Sequence, residues 1–294
     1  MATVSCGGKK ERFKFIHLNK NVGVVKLCDW LKVSPSGYYA WRNRVVSERV
    51  IDDAVLTQKI KTIHSQSDGI YGSPRVHAAL QKQGIKVARK RVERLMREAG
   101  LKGRLVLVTS KQPKIKSFFF SKSNLLLNAS KPEKIDQIWV ADVTYLKVAG
   151  KWQYLATVMD QYSRRIIGWS LGATRSSVLT SNALTYAMKK RSYPKNVILH
   201  TDRGSEYLSY AFQTYVKKWR MKHSVNRPGH CTDNAFMESF FHSLKAELIR
   251  GRKFDSIIEL RKAVSDYINN FYNNDRLHSG LNYCSPIEFE AMAA

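Results

Sequence analysis

The sequence is poor in cysteine and in acidic residues, and it contains no long apolar run. The four cysteines among 294 residues, Cys6, Cys28, Cys231 and Cys284, stand far apart and form no CxxC pair. That spacing argues against both a disulfide framework and a structural zinc site, and it suits a reducing compartment. No stretch of about 18 apolar residues occurs, so no spanning helix is expected. The first residues turn basic at once and lack the apolar core of a signal peptide. Acidic residues are outnumbered, 23 against 50 Lys and Arg, leaving a formal net charge of +27. With 44% hydrophobic and 11% aromatic residues, the chain is no mainly disordered tail. A folded, strongly basic chain points to a polyanion, most simply nucleic acid. An anionic membrane surface is the competing polyanion. It calls for a long helix with one apolar face and Lys/Arg opposite, and no segment fits that better than the basic helix at 88–99. The expectation is a soluble, cytoplasmic protein that faces DNA or RNA, with no membrane partner.

The charge is uneven: residues 1–134 carry net +19 and residues 135–294 net +8. Four regions follow from this and from periodicity. Residues 1–50 read as an N-terminal helical, helix-turn-helix-like unit, in which Val24, Val25, Cys28 and Leu31 recur at helical spacing. Ser34 there reads as an N-cap with Pro35 at the first helical position. Residues 51–103 read as a second helix-turn-helix unit. Val55, Leu56, Ile60 and Ile63 mark its first helix, a second starts near Ser73-Pro74, and a third spans about Ala88–Ala99. In that third helix Val92, Leu95, Met96 and Ala99 form one stripe, while Arg89, Lys90, Arg91, Arg94 and Arg97 fill the rest. A helix, a short glycine turn and a basic helix suit DNA binding. The competing reading is a small bundle with a solvated basic face, but five basic residues on one helix exceed what solubility requires. Residues 104–134, with Lys111, Lys114, Lys116, Lys122 and the patch Phe118–Phe120, read as a basic linker that orders on a partner.

From residue 135 onward the pattern changes to β type. Strands are predicted at Ile138–Leu146, Tyr154–Asp160 and Arg165–Leu171, joined by connections short enough for antiparallel hairpins. A helix follows at Ser177–Lys190, then a short apolar strand, Asn196–His200. Next come a helix near Ser209–Trp219, a strand at Lys222–Val225, and helices near 233–249 and 256–273. This order predicts an α/β fold, a ribonuclease H-like mixed five-stranded sheet with flanking helices, preceded by all-α helix-turn-helix units.

Three acids of this half stand out. Asp142 lies mid-strand among apolar residues, where an ionised carboxylate is costly to bury alone. Asp202 follows a very apolar strand, at the end where ligands collect in such sheets. Glu238 lies on a helix, with Asn234, His242 and Lys245 on the same side of it. The first and fourth strands of such a sheet are neighbours, so Asp142 and Asp202 can converge and the later helix can bring Glu238 to them. Convergent carboxylates cannot all stay ionised without a cation. Mg²⁺ or Mn²⁺ answers this, as hard ions that prefer oxygen ligands. Two such ions, roughly 3.5–4 Å apart, would serve an in-line displacement at phosphorus. A nuclease of the ribonuclease H type shares that metal site but leaves the helix-turn-helix units and Lys245 unexplained. A catalytically idle DNA-binding regulator would have been favoured by loss of one of the three acids, and none is lost.

The segments Trp139–Tyr145, His200–Tyr207, Cys231–Phe241 and Phe271–Leu281 together resemble the second-frame (OrfB) product of the bacterial insertion-sequence-three family. Those transposases belong to the retroviral-integrase-like DDE superfamily. Asp202 and Glu238 have 35 residues between them, the spacing of that superfamily's D,D(35)E signature. The segments Ile70–Val76 and Lys90–Met96 resemble the family's helix-turn-helix region, and Val33–Trp41 its N-terminal stretch. The resemblance implies metal-dependent 3′-end cleavage and strand transfer at element ends, with Asp142, Asp202 and Glu238 holding the metals. It implies Lys245 near DNA, and double-stranded DNA as partner, both element terminal repeats and target. It also implies at least a dimer on DNA, and an OrfA product joined as a frameshift fusion. A bacterial, nucleoid-associated location follows from the same resemblance. Arg203 beside Asp202, and Asn234 one turn before Glu238, are further expected DNA contacts. Tyr272, Arg276 and His278 are read either as touching the target strand or as closing the core.

Overall fold

The computed structural model describes residues 8–43, 47–104 and 123–293, leaving aside the side chains of Asn128, Cys231 and Thr232. The predicted basic linker falls largely in 105–122, outside the described residues. The chain forms two compact units, Met1–Thr62 and Ile63–Ala294.

In the first unit, α1 (Lys9–Leu18), α2 (Val24–Trp30) and α3 (Pro35–Arg42) enclose a small core of Ile16, Leu27, Cys28 and Tyr38. The Ser34 hydroxyl accepts the Gly37 N–H at 3.0 Å, and Pro35 starts α3, as its sequence predicts. Val25, expected on the apolar stripe, is exposed; the seven-residue α2 is too short to bury a wide face. The long helix α4 (Glu48–Gln66) carries the boundary between the units; Leu56, Ile60 and Ile63 are buried along it and Val55 is exposed.

The second unit continues with α5 (Ser73–Lys82) and α6 (Arg89–Glu98). Val76 and Leu80 of α5, and Val92, Leu95 and Met96 of α6, point inward. The turn between them is held where the His77 ring meets the Val87 carbonyl at 2.9 Å. Gly84, at φ +76°, supplies the left-handed residue that ends α5.

The sheet is built from β1 (Ile138–Val148), β2 (Lys151–Asp160) and β3 (Ile166–Gly172), which form an antiparallel meander. Then come α7 (Ser177–Lys190), β4 (Ile198–Thr201), a turn of helix α8 (Ser205–Leu208), α9 (Tyr210–Lys218) and β5 (Lys222–Val225). β4 and β5 join β1 in parallel, giving the order β3-β2-β1-β4-β5 of a ribonuclease H-like sheet. Helices cover both faces, so the strands read as near-continuous apolar runs. On one face Trp139, Ala141, Val158 and Ile167 pack against α7 and α9. Gly168 permits that contact, because a Cβ there would collide with the Ala183 carbonyl. On the other face Ile138, Val140, Leu155 and Met159 meet Met237, Phe240 and Leu244 of α10 (Ala235–Leu244), and Leu260 and Val264 of α11 (Ile257–Asp266).

Two predicted helices differ in form. Each begins as an α-helix and widens into a π-type segment, at Lys245–Ile249 and Tyr267–Asp275. These wide turns put Glu247 and Tyr267 within reach of Arg276. Glu247, whose side chain is 1% exposed, accepts from Arg276 at 2.9 and 2.7 Å and from the Tyr267 hydroxyl at 2.7 Å. Tyr272, Arg276 and His278 are buried in this network and close the core. The chain ends in α12 (Pro286–Ala293), where Glu290 receives Arg165 and Arg191.

Candidate active site

Register brings the first two acids together. Ala141 pairs with Thr201 across the parallel β1–β4 ladder, so Asp142 and Asp202 are the next residues on adjacent strands. Asp142 is half-buried, its Oδ1 accepting the Val143 N–H at 2.7 Å. Burial and then the charge of Asp202 push its carboxyl up to about 8. Asp202 lies just past the end of β4 and accepts the Gly204 N–H at 2.9 Å. Burial raises its pKa too.

Two residues that the sequence reading did not single out complete this setting. Arg175, in the loop before α7, lies 3.4 Å from Asp202 Oδ2 and 2.6 Å from Glu206 Oε1. The Glu206 side chain is 1% exposed, and this guanidinium answers its charge. Burial opposes the charge on Arg175, but Glu206 outweighs it and the group is held more firmly protonated. Gly204 leaves room for the pair; a Cβ there would meet both Glu206 and Arg175. Glu206 is four residues past Asp202, a spacing that was legible. Arg175 arrives from a separate loop, and nothing local in the sequence marks it.

The third acid stands on α10. Asn234, just before that helix and 4% exposed, donates from Nδ2 to the Ala141 carbonyl at 3.1 Å, one residue before Asp142. Glu238 follows one turn later and is partly exposed. Among the described residues, no three His, Cys, Asp or Glu side chains are gathered closely enough to hold an ion. The structure therefore pairs Asp142 with Asp202 and leaves Glu238 outside that pair. Lys245 reaches over the Tyr145 ring of β1 at 4.6 Å. Burial pulls its ammonium below the ordinary value, and the charge of Asp142 opposes that shift.

The other expected contacts fall in different settings. Asn234 acts as a buried strut between α10 and β1. Arg203 donates from Nε to the Asn226 carbonyl at 2.7 Å. His200 is fully buried against the Ser224 hydroxyl at 2.8 Å, and burial lowers its pKa, so it packs the strand end. On α6, Arg89 and Arg94 pair with Glu93 and Glu98 at 2.9 and 3.0 Å, while Lys90 and Arg97 are exposed.

Donor chemistry fits a hard divalent cation: two carboxylates of like charge share a partly buried edge, at the carboxyl end of parallel strands. Such a sheet with such an edge defines a catalytic core of the integrase class. Integrase core domain models match residues 132–231 and 238–293, and an HTH-like domain model matches 51–106. The transposase InsF of insertion sequence IS3A from Escherichia coli (strain K12) is 34% identical over 282 residues, 94% of this chain and 98% of that protein. A transposase of insertion sequence element IS904 from Lactococcus lactis is 34% identical over 84% of this chain and 98% of its own length. The IS600 uncharacterized 31 kDa protein of Shigella sonnei is 35% identical over 90% of this chain and 97% of its own length. The chain belongs to the IS3 family of transposases. Among solved structures, a simian T-cell lymphotropic virus intasome aligns with 79% of this chain and 74% of its own at 17% identity and TM-score 0.47. The HTLV-2 integrase catalytic core in complex with magnesium aligns with 54% of this chain and 98% of its own at 19% identity and TM-score 0.41.

Proposed function

We propose that this transposase cleaves 3′ ends and transfers strands at insertion-sequence termini, using Asp142, Asp202 and Glu238 as its metal-holding acids. The observation that carries this reading is the side-by-side placement of the Asp142 and Asp202 carboxyls at the end of two parallel strands, with Arg175 beside Asp202. When bound there, Mg²⁺ or Mn²⁺, as two ions, supplies an activated attacking oxygen and stabilises the leaving oxygen. Asp142 and Asp202 provide the fixed oxygen ligands, and Glu238 approaches from α10, whose start Asn234 fastens beside Asp142. Lys245 places positive charge near the acids, where a phosphodiester would sit. Arg175, itself held by the buried Glu206, sets a positive charge against Asp202 and so fixes its carboxylate. The nucleophile is water in the cleavage step and a freed 3′-hydroxyl in the joining step, so no covalent link between protein and DNA is required.

In this reading the substrates are double-stranded terminal repeats and target DNA, in a bacterial cytoplasm. Pairing of two ends calls for at least a dimer, and an OrfA product, joined as a fusion, supplies end recognition. Among the described residues, no helix is long and apolar enough to cross a membrane. The experiment is a nicking and joining assay on DNA bearing the element's own ends, with Mg²⁺, Mn²⁺ or EDTA, run on the OrfA-fused form. Asp202→Asn and Glu238→Gln are each expected to lower the metal-dependent rate by at least about a thousandfold, roughly 4 kcal/mol of barrier, while the circular dichroism spectrum stays unchanged. A Glu238→Gln protein with the wild-type rate would remove the third acid from the mechanism.

A further inference from the structure

Away from the carboxylates, a cavity of about 380 Å³ opens between α10, the β2–β3 turn and the C-terminal segment. It lies on the face of α10 that carries Ser239, next to the face that carries Glu238. Arg75, Arg164 and Arg276 contribute to its wall. Glu247 answers Arg276 directly and lies 3.9 Å from Arg75. Arg164 has no carboxylate within ion-pair distance among the described residues. Its guanidinium stands 5.5 Å over the Phe236 ring and rests on the backbone of Gly280, where any Cβ would collide with it. Three guanidinium groups thus face one carboxylate, leaving the cavity positively charged.

His278 adds a polar group to the same wall. Arg276 Nη1 can only donate, so at 3.4 Å the His278 Nδ1 is the acceptor and Nε2 bears the ring proton. That Nε2 is buried and makes no hydrogen bond of good geometry, although the Tyr272 carbonyl is close enough to act on the ring. Exposed Ser239 and Ser279 hydroxyls stand at the mouth.

We propose that this cavity is a phosphate subsite, distinct from the carboxylate site, that grips a backbone phosphate of a DNA strand through Arg164. The chemistry is that of guanidinium forks facing a tetrahedral anion. It rests on the DNA-acting reading of the chain. It adds an anchoring point in the β2–β3 turn beside α10, which would fix the strand relative to Glu238. A strand phosphate and free inorganic phosphate share this chemistry, and the test separates them.

The test uses the full chain. A fluorescein-labelled short duplex of arbitrary sequence is titrated at several salt concentrations. A 5′-phosphorylated thymidine dinucleotide and inorganic phosphate are titrated by calorimetry. Arg164→Ala and Ser279→Glu are compared with wild type, and Arg164→Lys serves as the charge-preserving control. Loss of one phosphate contact is expected to lower the slope of log K against log salt by about one. Dinucleotide affinity is expected to fall about tenfold or more in both variants, about 1.4 kcal/mol, with partial recovery in Arg164→Lys. Ser279 is exposed, so Ser279→Glu tests the site even if Arg164→Ala disturbs the turn. Unchanged slope and dinucleotide affinity in both variants, with salt-dependent duplex binding intact, would overturn the subsite and leave the DNA reading standing. Inorganic phosphate binding as tightly as the dinucleotide would overturn the strand assignment. Failure of the wild-type chain to bind duplex at all would overturn both.

Discussion

At residue scale, the molecule buries charge where its function calls for it and neutralises charge elsewhere. His278 shows the second pattern: burial, then Arg276, push it down to about 2, far below its usual 6.5. The unfolded chain therefore takes up a proton near pH 6.5 that the folded chain refuses until about pH 2. Between these values the unfolded state binds more protons, so stability rises with pH and levels off above the upper one. Urea unfolding at several pH values is expected to show His278→Gln losing less stability than wild type on going from neutral to mildly acid buffer. Equal slopes would mean that His278 titrates normally. Asp142 and Asp202 show the first pattern, and they were legible for a simple reason. Each is an acid in an apolar strand context, which local sequence displays. Arg175 was not legible because its partners, Asp202 and Glu206, lie 27 and 31 residues away and meet it only through the fold.

At element scale, hydrophobic pattern marked the strands well because both faces of the sheet are covered, which writes long apolar runs into β1, β2 and β4. The same pattern could not show the two π-type segments. A widened turn changes the path of the backbone without changing which residues are apolar. Those segments matter, since the Lys245–Ile249 turn carries Glu247 into contact with Arg276, and Tyr267 opens the second turn against the same acid. Within the second unit, the segment leading into α5 is fastened to this network as well. Tyr71 donates to the Asp275 carbonyl at 3.0 Å, and Arg75 donates to that of Leu277 at 3.0 Å. Glu247→Ala leaves the Arg276 guanidinium buried without its carboxylate, a loss of about 3–5 kcal/mol. Thermal unfolding is expected to show a drop of many degrees, and a small shift would mean that the network contributes little.

At the scale of the whole molecule, the surplus of positive charge reported by composition is the most direct link to DNA. A net charge of +27 on 294 residues favours counterion-releasing contact with a duplex. If six to ten phosphates are engaged, affinity for nonspecific duplex should fall by about 10³–10⁵ between 50 and 200 mM salt. Fluorescence anisotropy across that range checks it, and a shallow dependence would show that most of the charge faces away from DNA. On the basic helix α6, Arg89 and Arg94 pair with Glu93 and Glu98; such exposed pairs are weak and leave both guanidinium groups able to turn to a phosphate. Element order and sheet topology were legible at this scale, since helix and strand periods alternate in the order of a mixed sheet. The pairing of acids with bases across the sheet was not, since it depends on register.

If Asp142 and Asp202 are the carboxyl pair that receives a divalent cation, the melting temperatures of wild type and Asp142→Asn should respond differently to Mg²⁺. Without metal, Asp142→Asn should melt higher than wild type, because the fold no longer has to bury beside Asp202 an acid whose carboxyl is pushed up to about 8. Mg²⁺ at a hundred times its dissociation constant should then stabilise wild type by about 2.7 kcal/mol and leave the variant unmoved. A variant that melts below wild type without metal, or that gains as much from Mg²⁺ as wild type does, would remove Asp142 from the cation site.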